Sequence, residues 1–475
     1  MAKSWFALVV VFALLTGLSS AQLDSANQQL SRDIFQQLID INTTESVGNT
    51  TTAAQAMAKR LRDAGFPAKD VVVLGPDARH GNMVARYRGT GQHPPILMIG
   101  HLDVVEARRS DWTSDPFHFI EKDGYFYGRG TQDMKSDDAI WVADFIRLKR
   151  EGYKPDRDLI LALTSDEEGG PANGVDWLIK NHRDLINAEF VLNSDGGGVN
   201  TINGKPLFIS MDGSEKLYGD YQLKATNPGG HSSLPEPDNA IYHVTDALAR
   251  LQKFQFPFEL NAVTRGYFER MATIEHGQRA ADMKAILQTP PDQAAIARLS
   301  EDPVFNATMR TTCVATRLAG GHANNALPQT ATANVNCRIL PGHSREEVRQ
   351  QLVKVFDDPK VEVRYLANDG ATLSGFAPEK LGYAPVKLRP DVMQPLEKVA
   401  AQMWPGAPVI PTMATGASDG VYTNAAGLPT FGISGIAIDM DDVRAHGKDE
   451  RLGVQSYYNG VQFYYQFLKA ITGGK

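Results

Sequence analysis

The sequence predicts an α/β protein whose main domain is a mostly parallel sheet with helices on both faces, plus an inserted ferredoxin-like α+β domain. Apolar strand patterns at residues 96–99 and 159–163 flank an amphipathic helical pattern at residues 139–148. This alternation is typical of a parallel sheet covered on both faces. Beyond Gly213 the pattern changes to alternating strands and two helices in β-α-β-β-α-β order, which indicates a split, ferredoxin-like sandwich.

The remaining elements follow from hydrophobic spacing taken along the chain. The first two segments have the apolar spacing of helices. The second of them ends before Gly65, a residue type that often follows the last turn of a helix. Predicted helices are 28–39, 51–64, 175–181, 239–254, 345–356, 392–403 and 455–471, with a helical insertion at 256–305. Further predicted strands are 71–74, 83–87, 190–192, 216–226, 311–318, 330–339, 361–366 and 430–433.

The N-terminus has the pattern of a secretory signal peptide. Lys3 precedes an apolar run at residues 5–18, and small residues follow up to Ala21. The apolar run is too short for a membrane span, which needs about 20 residues. We therefore expect cleavage after Ala21, export to the periplasm or the medium, and no membrane attachment of the mature chain.

Composition limits the classes of partner. The 475 residues are 42% hydrophobic, which is enough for two or three domain cores. The formal net charge is −7 and no basic run stands out, so a nucleic-acid partner is not expected.

Two cysteines, Cys313 and Cys337, flank a predicted hairpin whose loop centres near Asn325. At that spacing they are expected to lie opposite each other, where a cross-strand disulfide is compatible with an oxidising compartment. Two unpaired buried thiols fit the pattern equally well.

The strand at residues 96–99 stops at Gly100 and is followed by His101 and Asp103. Residues i and i+2 of a strand share a face, so the Asp103 carboxylate is expected to accept one ring N–H of His101 while the other nitrogen binds a metal. The simpler interpretation is a hydrogen bond at a strand end with no metal.

Acidic and imidazole groups recur at the ends of successive strands and in Gly-rich or polar loops. Carboxylates that converge at one sheet edge repel one another unless cations hold them. Imidazole and carboxylate ligands without thiolates suit zinc, with manganese or cobalt as competitors. Two divalent ions, three carboxylates and one bridging hydroxide would form a neutral cluster. The groups concerned are His101, Asp103, Asp133, Glu167, Glu168, Asp195 and His446.

The segments GHLDVV, DGYFYGRG-x-x-D-x-K, SDEEGG, GGHSS-x-P, NALP and CRILPG occur in this order along the chain. In them the sequence resembles the M20 (M20/M25/M40) family of dinuclear zinc peptidases and deacylases, and most closely its carboxypeptidase S-like branch. The resemblance implies a catalytic di-zinc domain at residues 22–215 and 376–475. It also implies an inserted lid or dimerisation domain at 216–375, so that the protein would be a monomer or a homodimer through the lid.

The resemblance also implies a role for each residue of the site. It makes Glu167 the general base that activates the metal-bridging hydroxide, and Asp103 the residue that orients His101. The implied ligands are His101 and Asp195 on one metal, His446 and Glu168 on the other, and Asp133 between them.

Three further residues are implied to act from the inserted domain. His231 would stabilise the oxyanion, from the same chain or from a second subunit. Asn325 and Arg338 would contact substrate, and Arg338 suits a terminal carboxylate through a bidentate pair. A plain surface charge is the alternative for Arg338.

The expected function is that of an exported, metal-dependent exopeptidase acting on short peptides, as a carboxypeptidase or dipeptidase. An N-acyl-amino-acid amidohydrolase with the same site is the alternative, and a non-catalytic metal-binding module is less favoured. Asp195 stands where carboxypeptidases and deacylases of the family usually carry Glu, and where its aminopeptidases and dipeptidases carry Asp. The lid instead resembles the carboxypeptidase S-like branch, so the sequence leaves the substrate open.

Overall fold

The structure is a computed structural model that describes residues 23–367, 370–378 and 383–474. The predicted signal peptide, residues 1–21, lies outside these ranges. Within them, no helix combines the length and the apolar character needed to cross a membrane.

The helices, numbered in chain order, are α1 Ser25–Ile39, α2 Thr50–Asp63, α3 Lys135–Glu151, α4 Gly174–Asn181, α5 Arg183–Ile186, α6 Ala240–Lys253, α7 Ala262–Ile274, α8 Gly277–Ala285, α9 Gln293–Leu299, α10 Pro303–Met309, α11 Arg345–Phe356, α12 Pro390–Met403, α13 Gly420–Ala425 and α14 Val454–Thr472.

The strands are β1 Val71–Leu74, β2 Asn82–Tyr87, β3 Ile96–His101, β4 Ile120–Lys122, β5 Tyr125–Tyr127, β6 Leu159–Thr164, β7 Phe190–Asn193, β8 Gly198–Ile202, β9 Lys205–Glu215, β10 Leu217–Thr226, β11 Gly230–His231, β12 Thr312–Gly320, β13 Ala326–Leu327, β14 Thr330–Ile339, β15 Glu362–Leu366, β16 Leu373–Ser374, β17 Val409–Ala414, β18 Thr430–Gly432, β19 Ala437–Asp439 and β20 Arg451–Gly453.

Local sequence sets several of the helix ends. The Asn49 side chain accepts a hydrogen bond from the N–H of Thr52 at the start of α2. Ser344 and Glu347 form a reciprocal capping box at the start of α11. Helix α3 ends at Gly152, whose φ of 69° is a left-handed conformation that glycine adopts without steric cost.

A large sheet carries the centre of the molecule. Its order in the described ranges is β1-β2-β6-β3-β7-β18-β9-β8-β19, with β17 beside β9. The central strands β6, β3, β7 and β18 are parallel, and β1 and β2 add an antiparallel edge. Every residue of β3 and β6 is buried, as expected for strands covered on both faces. The predicted fold class, a mostly parallel sheet with helices, is confirmed.

The two faces of β3 belong to two different hydrophobic clusters. Ile96 and Met98 pack into the cluster that includes α1, α3 and α14. Leu97 and Ile99 point the other way, into the cluster that includes Leu178 of α4. The two-residue period of the strand thus connects two helical layers through one sheet.

A second, antiparallel sheet has the order β12-β14-β10-β15-β16. With α6 and α11 it completes the predicted β-α-β-β-α-β unit, whose four long strands have the spatial order of a ferredoxin-like sandwich. Alternate residues of β14 are buried beneath the helices, while the residues between them are partly exposed on the opposite face.

Helices α7 to α10 fall within the range 216–375 that the sequence assigns to the inserted domain. In the structure they form a separate cluster that includes Ile410 of β17, and α7 packs on that strand. This segment therefore packs on the large sheet through α7.

A disulfide joins Cys313 and Cys337, which are directly opposite each other on β12 and β14. The structure thus selects the cross-strand disulfide over two unpaired thiols. The bond closes a loop with a sequence separation of 24 and ties the edge strand to the sheet.

We expect replacement of both Cys313 and Cys337 by Ala to lower the free energy of unfolding, because the unfolded chain regains loop entropy of about 3 kcal/mol. Denaturant titration measures this loss, and wild-type protein treated with dithiothreitol is the control. If the midpoint is the same in all three samples, the disulfide does not stabilise the fold.

Candidate active site

Parallel strands bring the polar groups predicted from sequence to one edge of the large sheet. His101 is the last residue of β3, Glu167 and Glu168 follow β6, and Asp195 follows β7. Because these strands run in the same direction, their carboxyl ends face the same crevice. The loop before α3 adds Asp133.

Asp133 lies between two imidazoles. Its Oδ1 is 3.1 Å from Nε2 of His101, and its Oδ2 is 3.0 Å from Nε2 of His446. His446 comes from the loop before β20, and its Nε2 is also 2.7 Å from Oε1 of Glu168. Both carboxylate oxygens of Asp133 are thus directed at different imidazoles, as a bridging ligand requires.

These contacts define two ligand sets that share Asp133. One consists of His101, Asp133 and Asp195, and the other of Asp133, Glu168 and His446. Within each set the donor atoms all lie within 4.8 Å of one another. All five predicted metal ligands therefore meet at one place, although they come from segments far apart in the sequence.

The donor chemistry fits divalent cations. Burial, reinforced by the negative charge of Asp133, raises the pKa of Asp195 well above its ordinary value. Hydrogen bonds to Asp133 and Glu168 raise the pKa of His446 to about 10. Both shifts mean that the cluster attracts positive charge, and two imidazoles with three carboxylates and no thiolate suit zinc-like ions.

The Asp103 carboxylate does not make the hydrogen bond to His101 that the sequence predicts. The ring Nδ1 of His101 is 3.0 Å from the backbone carbonyl of Asp103 and 3.8 Å from its carboxylate. The carboxylate instead accepts hydrogen bonds from the backbone N–H groups of Glu167 and Glu168. The strand β3 ends at His101, so the i, i+2 relation assumed for a strand does not extend to Asp103. Its main chain orients the imidazole, and its side chain fixes the turn that carries the two glutamates.

Glu450 organises the loop that carries Asp133, and the sequence analysis did not find it. Its fully buried carboxylate accepts hydrogen bonds from Nη1 of Arg129 and from the N–H groups of Gly130, Gln132 and Asp133. Because Glu450 lies four residues after His446, it also joins the two loops that supply ligands. The sequence signal was an acidic residue in the same polar loop as the candidate imidazole.

A cavity of about 210 Å³ opens beside the ligands. Burial raises the pKa of Glu167, which lines it, to about 9. Asp212 and Glu215 of β9 were not found from the sequence, and burial raises the pKa of Glu215 to about 7. The carboxylates that line the cavity are Asp133, Glu167, Glu168, Asp195, Asp212 and Glu215.

The structure does not bring His231, Asn325 or Arg338 to the described lining of this cavity. His231 is exposed on β11, where its Nδ1 is 2.7 Å from Oγ of Ser233. The backbone carbonyl of Asn325 accepts a hydrogen bond from the N–H of Ser232 beside the two-stranded β11–β13 sheet. Arg338 stacks its guanidinium over the Tyr218 ring on the second sheet. Their substrate roles stay predictions that would require the second sheet to move or a second chain to contribute.

The fold and the two ligand sets define an α/β protein with a candidate site for divalent metal ions at the carboxyl edge of its large sheet. Residues 97–470 match the model of peptidase family M20/M25/M40, and the chain belongs to that family.

Two curated relatives and one solved structure illustrate the similarity. An N-fatty-acyl-amino acid synthase/hydrolase, PM20D1 of Xenopus tropicalis, is 28% identical over 79% of this chain and 72% of its own length. A probable carboxypeptidase S-like 2 of Dictyostelium discoideum is 27% identical over 82% of this chain and 74% of its own. The M20 family metallo-carboxypeptidase Sso-CP2 of Sulfolobus solfataricus has a TM-score of 0.67 at 16% identity, covering 95% of this chain and 100% of its own.

We expect Glu450→Gln to weaken metal binding by about 10- to 100-fold, because an amide cannot accept all the hydrogen bonds that the carboxylate receives. Competition with a chromophoric chelator measures the affinity. Glu121→Gln, in an exposed pair with Arg32, is the matched control and should bind metal like the wild type. Equal affinity in the Glu450 variant would rule out this role.

Metal binding to the metal-free protein should release protons near neutral pH. His446 has a pKa raised from 6.5 to about 10, so it is protonated at pH 7.5, whereas a metal ligand must be neutral. Affinity should therefore rise with pH between these two values, by about tenfold per pH unit for each proton displaced. Calorimetry in two buffers of different ionisation enthalpy measures the release, and a binding heat that is independent of the buffer would contradict it.

Proposed function

We propose that the protein is an exopeptidase that hydrolyses the amide bond of short peptides at this site, with two Zn²⁺ ions, or Mn²⁺ or Co²⁺, as cofactors. The observation that carries the proposal is the convergence of two ligand sets around Asp133. The cavity beside them is also lined by Glu167, a glutamate that belongs to neither set. When bound, the cations would polarise the substrate carbonyl and lower the pKa of a nearby water molecule.

Glu167 is the residue proposed to move the proton. It belongs to neither ligand set, yet it lines the cavity next to Glu168. Its backbone is held by the Asp103 carboxylate, so its position relative to Glu168 is fixed. A carboxylate that holds a metal cannot also collect a proton. Burial raises the pKa of Glu167 to about 9 in the metal-free site, and the positive charge of bound cations would lower it, so that Glu167 could take a proton from water and return it to the leaving nitrogen.

The cavity lining favours a small, polar substrate with a free amino group. Six carboxylates line it, and the apolar residues of its described lining are only alanines and glycines. Asp212 and Glu215 are extra negative groups outside both ligand sets, and an ammonium group would be attracted to them. These features support a dipeptide, which has an ammonium group close to the bond that is cleaved.

Hydrolysis of N-acyl amino acids is the second candidate. The name of the Xenopus relative supports it, and so does a second cavity of about 290 Å³ that shares Asp133 and Asp195 with the first. That cavity has an apolar wall with Ile438, Met440 and Val443, which suits an acyl chain.

A matched panel separates the two candidates: dipeptides with free termini, the same dipeptides acetylated at the amino end or amidated at the carboxyl end, and N-acyl amino acids of increasing chain length. We expect acetylation to reduce kcat/KM by at least about tenfold, because the charge attraction is lost. Faster hydrolysis of long-chain acyl amino acids would instead support the second candidate. Bound metal without hydrolysis of any member of the panel would indicate a binding module.

We expect Glu167→Gln to lower kcat by about 10²- to 10⁴-fold while the metal content is unchanged, since it removes only the proton carrier. Glu168→Gln is the matched comparison and should lose metal, because Glu168 belongs to a ligand set. Steady-state kinetics and elemental analysis measure both effects. A near-wild-type rate for Glu167→Gln would eliminate it as the base.

Export completes the proposal, and it rests on the sequence pattern of residues 1–21. Expression of the full chain followed by N-terminal sequencing tests it, because a cleaved product should begin at Gln22. A cell-retained protein that still begins with the uncleaved segment would contradict export.

A further inference from the structure

A second group of metal-type donors lies outside the active-site cavity, around the buried His80. Its Nε2 is 3.3 Å from Oε2 of Glu45 and 3.9 Å from Oδ1 of Asp166. The donor atoms of these three residues all lie within 4.8 Å of one another. On its other side, Nδ1 of His80 is 2.8 Å from Oδ2 of Asp77. We call Glu45, Asp77, His80 and Asp166 the His80 cluster.

The distances suit a cation held between the three donors. Zinc bonds to nitrogen and oxygen at about 2.0–2.2 Å, so tetrahedral ligand atoms lie roughly 3.3–3.6 Å apart. Asp77 would keep the ring proton on Nδ1 and leave the lone pair of Nε2 free for the cation. A carboxylate behind a ligating imidazole is the usual arrangement at protein metal sites.

Asp166 supplies an independent sign of a ligand. Its side chain is only 2% exposed, and its Oδ2 accepts a hydrogen bond from the N–H of Ala172. Its Oδ1 points towards His80 and receives no hydrogen bond from the described residues. A carboxylate whose side chain is buried to this extent, with one oxygen that has no donor, is costly unless a charge or a hydrogen bond compensates it.

The charges of the cluster point the same way. Three carboxylates surround one imidazole, so even a protonated His80 leaves two negative charges uncompensated. A divalent cation on a neutral imidazole would leave one negative charge. The Arg79 guanidinium, which contacts the carbonyls of Glu45 and Gly48, adds one positive charge in both cases, so only the cation brings the local sum to zero.

We propose that Glu45, His80 and Asp166 bind a further divalent cation of the zinc class, with Asp77 holding the imidazole. This site joins the loop after α1, the loop before β2 and the turn after β6. That turn continues directly into Glu167 and Glu168, and Asp166 holds a left-handed φ of 60°. The cation would thus be a structural clamp that positions the two glutamates through residues that do not line the cavity.

Metal content of the mature chain tests the clamp without any activity measurement, so failure of the proposed function would not affect the result. In a His101→Ala/His446→Ala background, which lacks one imidazole of each active-site set, we expect one Zn²⁺ per chain after dialysis. Adding His80→Ala should remove it. Adding His93→Ala should not, because His93 is an exposed histidine that faces only Asp156, at 3.8 Å.

The Asp77→Asn variant is a second test in case the His80→Ala protein does not fold. It should fold normally, because the Asp77 side chain is half exposed. In the same background the Asp77→Asn variant should keep the fold, as judged by circular dichroism, and its affinity for the remaining Zn²⁺ should fall by about 10- to 100-fold. Equal zinc content with and without His80, or an unchanged affinity in the Asp77 variant, would overturn the proposal and leave the cluster as a set of ion pairs.

Discussion

The buried carboxylate of Glu450 is the contact on which the geometry of the active site depends. It ties the Gly-rich loop that carries Asp133 to the C-terminal loop that carries His446, across more than 300 residues of sequence. A buried charge is stable only when several donors surround it, and here one guanidinium and three backbone N–H groups do so. The same bonds that satisfy this charge place both oxygens of Asp133 between the imidazoles of His101 and His446.

The parallel centre of the sheet explains why so much negative charge collects at one edge. Strands β3, β6 and β7 are buried along their length, so the first positions that accept polar side chains lie just beyond their carboxyl ends. Each adjoining loop contributes carboxylates there, and burial raises the pKa of several of them. Such an edge is unfavourable by itself, and its energetics favour cations and substrates with a positive group.

Asp103 and Asp166 show how neighbouring acids serve different purposes around one turn. Asp103 holds the N–H groups of Glu167 and Glu168 from the active-site side. Asp166 belongs to the His80 cluster, which shares no residue with the described lining of the active-site cavity. Two separate groups of contacts therefore meet at the turn that carries Glu167 and Glu168, which suits the base and the metal ligand proposed there, because their separation must stay fixed.

The sequence by itself determined the fold class and the alternation that builds both sheets, and it indicated the polar groups that meet at the site. These follow from local rules: apolar runs predict strands, and polar groups at the ends of parallel strands must meet at one edge. His101, Glu168 and Asp195 could be found in this way because each lies at or just beyond the end of a buried strand.

Tertiary structure alone decided how the site is held together. The hydrogen bond from His101 goes to a carbonyl and not to the Asp103 carboxylate, because β3 ends at His101 and the alternation of a strand does not extend to Asp103. Helix α7 packs on β17, and His231 and Arg338 lie away from the cavity, because packing between distant segments has no local sequence pattern. For the same reason the sequence did not indicate the contacts of Glu450 or of the His80 cluster, which join loops that lie far apart in the chain.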